Sequence, residues 1–152
     1  MGKRRKGREV VLQSSYAAMI SGAKPGEVLE DQLGRRESAP DTAAFARSLM
    51  DKVAGNRPEL DTWMKGLISE KWSPERLGVL EKAILVIGLA ELKFCPDVPV
   101  KVVINEALEL TRRYCDENAV GFVNGVLDKA AGQLYPDGIP AAPAAGPQGE
   151  PA

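Results

Sequence analysis

The chain of 152 residues contains no histidine, and that absence removes the side chain that most often moves protons near neutral pH. Its two cysteines, Cys95 and Cys115, stand alone, with no C-x-x-C motif. A disulfide framework and a zinc site of ordinary spacing are thereby excluded, and two reduced thiols of a cytoplasmic protein are expected. There is no P-loop, no G-x-S-x-G and no cluster with metal-ligand spacing, so neither catalytic residues, nor a cofactor, nor a metal is expected. The longest apolar stretch, Ala83 to Ala90, is far short of the roughly 20 residues that span a bilayer. No hydrophobic region of a secretion signal follows the basic N-terminus, so no membrane partner is expected. Sustained strand alternation is also missing.

What remains is ordinary in bulk, 44% hydrophobic and 27% charged, with room for one domain. The formal charge of −1 hides an asymmetry. Lys3, Arg4, Arg5, Lys6 and Arg8 fall within the first eight residues, leaving fifteen basic against twenty-one acidic residues in the rest. A basic arm (1–8) on an acidic body (9–135) is a footprint of nucleic-acid binding, and equally of a solubilising tail. After Tyr135 the composition turns to Pro, Gly and Ala, which reads as a disordered tail over 136–152.

Helical periodicity runs between these ends. Leu12, Tyr16, Met19 and Ile20 form one stripe, predicting a helix from the arm to Ser21, broken by Gly22 and Pro25. A short piece carrying Val28, Leu29 and Leu33 stops at Gly34. Asp41 is placed as N-cap of a helix presenting Phe45, Leu49 and Val53 and ending at Gly55. Pro58 suits the start of the next, with Leu60, Met64, Leu67 and Ile68 behind it. Ser73-Pro74 reads as a cap opening a fifth helix whose latter half, Ala83–Leu92, is apolar on nearly every side and so marks the centre of the fold. Pro96 and Pro99 separate it from a helix with the stripe Val100, Val103, Ile104, Ala107, Leu108 and Thr111. The last helix carries Phe122, Val123, Val126, Leu127, Ala130 and Leu134. About seven helices with short connections predict an all-α domain.

Cations at a helix N-terminus oppose its macrodipole by roughly 0.3–1 kcal/mol each. Helix stability therefore does not explain the arm, whereas a polyanion does, gaining from the side chains and from the amides of the first turn. Gln13 and Tyr16, further along, offer a hydrogen bond and a stacking face, although a Tyr at helical spacing also serves a core. Asn118 is placed as cap of the last helix, and Phe122 beside it suits either the core or an unstacked base. Glu91 and Glu106 lie among apolar residues and are expected to cap a neighbouring helix or accept bonds from a buried amide. Asn105 and Asn124 are expected to join them in a polar network.

Two segments resemble one family: Val98-Pro-Val-Lys-Val-Val-Ile-Asn-Glu-Ala-Leu-Glu-Leu110 and Gly121-Phe-Val-Asn-Gly-Val-Leu-Asp-Lys129 are similar to the C-terminal signature of the NusB family. Trp72, Arg76, Glu81-Lys-Ala-Ile-Leu85 and Glu91-Leu92 resemble its central helix, and Lys3 to Tyr16 its N-terminal motif. The resemblance implies seven helices in two packed three-helix subdomains. It implies binding of boxA-type single-stranded RNA of ribosomal RNA leaders, together with NusE, a small-subunit ribosomal protein, in an antitermination complex on RNA polymerase. By position it implies RNA contacts at Arg4, Arg5, Lys6, Arg8, Gln13, Asn118 and Phe122, and partner contacts at Tyr16 and Glu81. Gly121 stands where the family usually has Lys or Arg, implying one phosphate contact fewer; Val86 and Ala90 replace a common arginine and an aromatic.

The competing readings are a helical interaction module or homodimer with unselective or no RNA binding, and the NusB-like front of an RNA methyltransferase. The second would need a cofactor-binding α/β domain, for which no segment here is suited. Because residues 136–152 carry five prolines and no apolar periodicity, deleting them is predicted to leave the melting temperature and RNA affinity unchanged, as thermal unfolding and RNA titration of the shortened chain will test.

Overall fold

A computed structural model describes residues 2–68 and 77–140. Among them lie seven α-helices and no strand: α1 Lys3–Ser21, α2 Pro25–Arg35, α3 Pro40–Gly55, α4 Arg57–Leu67, α5 Val79–Phe94, α6 Val100–Tyr114 and α7 Asn118–Leu134. Ser73-Pro74, the Trp72 and Arg76 matches, and most of the Pro/Ala tail lie outside the described residues, but α5 itself opens at Val79 behind the extended Gly78, later than the expected opening at Ser73-Pro74.

α1, α2 and α3 pack on one another, and α5, α6 and α7 do the same. α4 leans on α5 and α7, while α1 and α3 both reach α5. These are the two three-helix subdomains, and α5 joins them. Its residues from Ala83 to Leu92 are buried without interruption, as an element apolar on every side must be. The hydrophobic effect at about 25 cal/mol per Å² makes this helix the main source of cohesion.

α1 is rotated relative to the face its sequence suggests. Of the stripe Leu12, Tyr16, Met19 and Ile20, Tyr16 is 39% and Ile20 62% exposed. The buried residues are instead Gly7, Arg8, Val10, Val11, Leu12, Ser14, Ser15 and Ala18. Three helices close on α1, and its small residues are what let them approach. A Cβ on Gly7 would lie 2.7 Å from Cδ2 of Phe45 on α3, so only glycine fits there without displacing the ring. The helix ends at Gly22, whose φ of 78° is the left-handed conformation glycine adopts freely, with its N–H bonded to the Ala18 carbonyl.

Three local readings are corrected. Asp41 is not the N-cap of α3: Ala39 holds that position and Pro40 starts the helix, because proline's fixed φ suits the first turn. Asn118 is the first residue of α7 and forms no side-chain cap. Asn105 is exposed on α6 and Asn124 half-buried on α7, so the buried polar network does not include Asn105.

Ile87, 2% exposed in the joining helix, is the sharpest probe of this arrangement. Ile87→Ala is predicted to cost roughly 2–5 kcal/mol through lost burial and a residual cavity. Chemical denaturation measures it, and an unchanged midpoint would show that α5 is not enclosed as described.

Candidate nucleic-acid interface

The basic N-terminal residues do not form a free arm. They are the first two turns of α1, and the side of the helix each occupies decides its fate. Arg8 faces inward and is 1% exposed. Its Nε and Nη2 donate to the two carboxylate oxygens of Glu91 at 2.7 and 2.8 Å, a bidentate fork. Nη1 makes no hydrogen bond but lies 3.8 Å from Glu106. Burial works against the Arg8 charge, yet the hydrogen bonds and field of Glu91, then Glu106 and Cys95, outweigh it and hold the guanidinium above its ordinary pKa. Three residues earlier on α1, Arg5 donates through Nε and Nη2 to Glu106 at 2.9 and 2.6 Å. That bond and charge raise the Arg5 pKa as well.

Two guanidinium groups therefore neutralise two acids in the interior. Glu91 and Glu106 accept bonds from arginines, where the sequence suggested amides or a cap. Arg8 is correspondingly withdrawn from the set expected to face RNA, because a guanidinium enclosed from solvent and held by Glu91 is out of reach of a phosphate. Phe45 completes the packing: Arg4 and Arg8 lie over its ring at 5.4 and 5.1 Å from the centroid, within range for cation–π attraction. Lys3 pairs with Asp41 across α1 and α3 at 2.8 Å. Lys6 points outward and is exposed, and Arg4 makes no ion pair among the described residues.

Beyond Arg5, α1 and α6 run side by side. Glu9 pairs with Arg113, and the Gln13 amide donates to the Tyr114 hydroxyl at 2.7 Å. The trough between the helices encloses about 280 Å³ and is lined by Arg5, Glu9, Glu109, Arg112 and Arg113 among others. Asn118, exposed, follows Tyr114 across a short turn, and Phe122 packs half-buried against the core. Arg5 thus lines the trough and Gln13 bridges the same two helices beyond it, whereas Asn118 and Phe122 belong to the neighbouring start of α7. Arg112, Arg113 and Tyr114 were not singled out from the sequence. Arginines in a helix's last turn complement its dipole, so nothing marked them as special.

Of the two residues expected to face a partner, Tyr16 is exposed on α1 beside Ile20. Glu81 has a structural task as well: its carboxylate accepts from the Gly78 N–H at 2.8 Å, capping α5. Burial, followed by the bond and charge of Glu81, pushes the Cys115 thiol up to about 12. Burial also raises the Cys95 pKa, against Lys52, which lowers it, and with Glu91 and Asp97, which raise it. Thiols shifted this way are poor nucleophiles. Among the described residues no group of His, Cys, Asp and Glu could hold a metal, and no helix is long and apolar enough to cross a membrane.

A model of the NusB family matches residues 5–132. The chain is 38% identical over 135 residues to the transcription antitermination protein NusB of Myxococcus xanthus, covering 86% of this chain and 96% of that one. It is 41% identical over 128 residues to the corresponding protein of Proteus mirabilis, covering 84% and 92%. A crystal structure of antitermination factors NusB and NusE in complex with dsRNA superposes with a TM-score of 0.79 at 28% identity, over 88% of this chain and 98% of that chain.

Arg8→Ala leaves the Glu91 carboxylate, 2% exposed, buried without its partner and is predicted to cost about 3–5 kcal/mol. Replacing both groups together, Arg8→Met with Glu91→Leu, is expected to cost much less, since an apolar pair of similar volume avoids desolvating charge. Denaturation of Arg8→Met, Glu91→Leu and the double variant closes the cycle; a loss in the double variant equal to the sum of the two single losses would remove the pair from its structural role.

Proposed function

The chain belongs to the NusB family, and from that membership we propose that it is an RNA-binding antitermination factor whose RNA surface is the outer side of α1's first two turns. It binds boxA-type single-stranded RNA of ribosomal RNA leaders jointly with NusE and acts within an antitermination complex on RNA polymerase. One observation carries the reading: Lys6 is exposed, Arg4 has no ion pair among the described residues, and both stand at the positively charged end of a helix. The interior acids account for Arg5 and Arg8; Arg4 rests over the Phe45 ring, but no acid among the described residues balances Arg4 or Lys6, and phosphate would do so.

In this reading, Arg4 and Lys6 neutralise phosphates while Arg5 contributes the part of its guanidinium that Glu106 leaves in solvent. Gln13, held by Tyr114, and Asn118 and Phe122 at the start of α7 supply polar and stacking contacts to unstacked bases. Arg112 and Arg113, paired with Glu109 and Glu9 but about half exposed, flank this edge on α6. Arg8 touches no RNA; it fixes the helix that presents the others. NusE meets the exposed Tyr16–Ile20 face of α1 and the Glu81 end of α5. The defining experiment titrates the protein with boxA-like and scrambled single-stranded RNAs, each with and without NusE. Tighter binding of the boxA-like strand, strengthened by NusE, supports the proposal, and indifference to both would favour a helical module that binds RNA unselectively.

The charge assignment has a separate measure. For single strands, log K falls with log[salt] by about 0.7 per neutralised phosphate. The double variant Arg4→Ala, Lys6→Ala is predicted to flatten the slope by about 1.4 on that rule and to weaken every RNA alike, because phosphate contacts position while base contacts specify. A salt series on parent and variant measures it. Identical slopes would return these two cations to a solubilising role.

A further inference from the structure

The described surface holds a second cavity that the reading above does not use. It encloses about 480 Å³ on the α3 side of α1, bounded by α1, α3 and the turn between α5 and α6. Its apolar floor is Leu49, Cys95 and Val98, all buried. Its rim carries Arg4, Lys52 and Asp97. We propose that this cavity is a nucleotide subsite, extending the RNA path over α1 so that one nucleotide is held on the face opposite the α1–α6 trough. The proposal rests on the RNA-binding reading and goes beyond it by adding a place and a footprint.

Three features fit one nucleotide better than structural needs. Lys52 sits in the last turn of α3, where the helix dipole welcomes a cation. Yet its ammonium is turned back along the helix to the Ser48 hydroxyl at 3.1 Å, a neutral partner, which holds it at the cavity rim. Arg4 lies over the Phe45 ring, and guanidinium groups and aromatic rings are the two surfaces on which unstacked bases settle. Asp97, exposed on the turn, repels a phosphate but accepts hydrogen bonds from a base edge. Charge therefore orients the guest: phosphate towards Lys52 and Arg4, base over the apolar floor with its N–H groups towards Asp97. Asp41, at the same rim, is already engaged by Lys3.

A single strand reaching this cavity must cross the first turns of α1, passing Arg4 and Lys6. The subsite is thus filled only by RNA long enough to leave the trough on the far side. The test uses the full chain with a boxA-type RNA and a series shortened from either end. Lys52→Ala, at a half-buried position on the rim, is expected to flatten the salt slope on the longest RNA by about 0.7, one phosphate. On RNAs trimmed too short to reach the cavity it is expected to change nothing, and Lys52→Arg is expected to restore the parent slope. A photo-crosslinking base placed at the terminal position lost in trimming is expected to mark residues 48–52 or 95–98. Equal slopes for Lys52→Ala and parent on every length, or crosslinks confined to α6 and α7, would overturn the subsite while leaving the RNA reading intact. Failure of the parent chain to bind any of these RNAs would overturn both.

Discussion

The pairing of Arg8 with Glu91 is the constraint on which the rest of the molecule depends. α5 is apolar on all sides and enclosed by five other helices, and a carboxylate in such surroundings is tolerable only when a cation is brought to it. Desolvating an ion costs several kcal/mol even after relaxation, so α1 has to deliver its guanidinium to one point on α5 with bidentate accuracy. That requirement sets the height and rotation of α1. Once those are set, Arg5 falls on Glu106, Gln13 on Tyr114, and Lys6 has nowhere to go but outward.

The same fork explains why the first subdomain packs so closely. With Arg8 drawn inward over Phe45, the ring must come up against the α1 backbone, and Gly7 is the residue that leaves it room. A single helical rotation thus sorts the N-terminal cations. Arg5 and Arg8 settle interior acids, Lys3 settles an acid at the surface, and Arg4 and Lys6 face no acid among the described residues. A charge count sees five equivalent positive residues, whereas the fold makes them unequal.

Much of the fold was legible. The number and order of the helices agree with their sequence patterns, apart from the later opening of α5 and the buried face of α1, because glycines, prolines and stripes such as Val103, Ala107 and Thr111 report local periodicity. The unbroken apolar run of α5 announced its central position correctly. The stripe of α1 misses its buried face because, beside Val10, Val11 and Leu12, that face holds Gly7, Ser14, Ser15 and Ala18, which pack by being small, and Arg8, so they add little to a hydrophobic stripe. At the site, the relevant residues were noticed on both sides, Arg5 and Arg8 as phosphate ligands, Glu91 and Glu106 as acceptors of amides. What no local pattern conveys is that they belong to one another, since each fork joins residues far apart in the chain. Arg112, Arg113 and Tyr114 escaped notice for a related reason: their significance comes from α1 lying alongside.

Separation along the chain also bears on synthesis. Arg8 and Glu91 stand 83 residues apart, so on a growing polypeptide α1, α2 and α3 emerge well before the acid that receives the guanidinium. Domains generally fold as units, N-terminal parts first, but here the first three-helix unit cannot close its inner edge while that charge still requires water. It is expected to stay hydrated and partly open until α5 brings Glu91 to accept the Arg8 hydrogen bonds. The two halves are therefore expected to gain their final order together, and a ribosome-bound chain ending before α5 to lack the protease resistance of the finished protein.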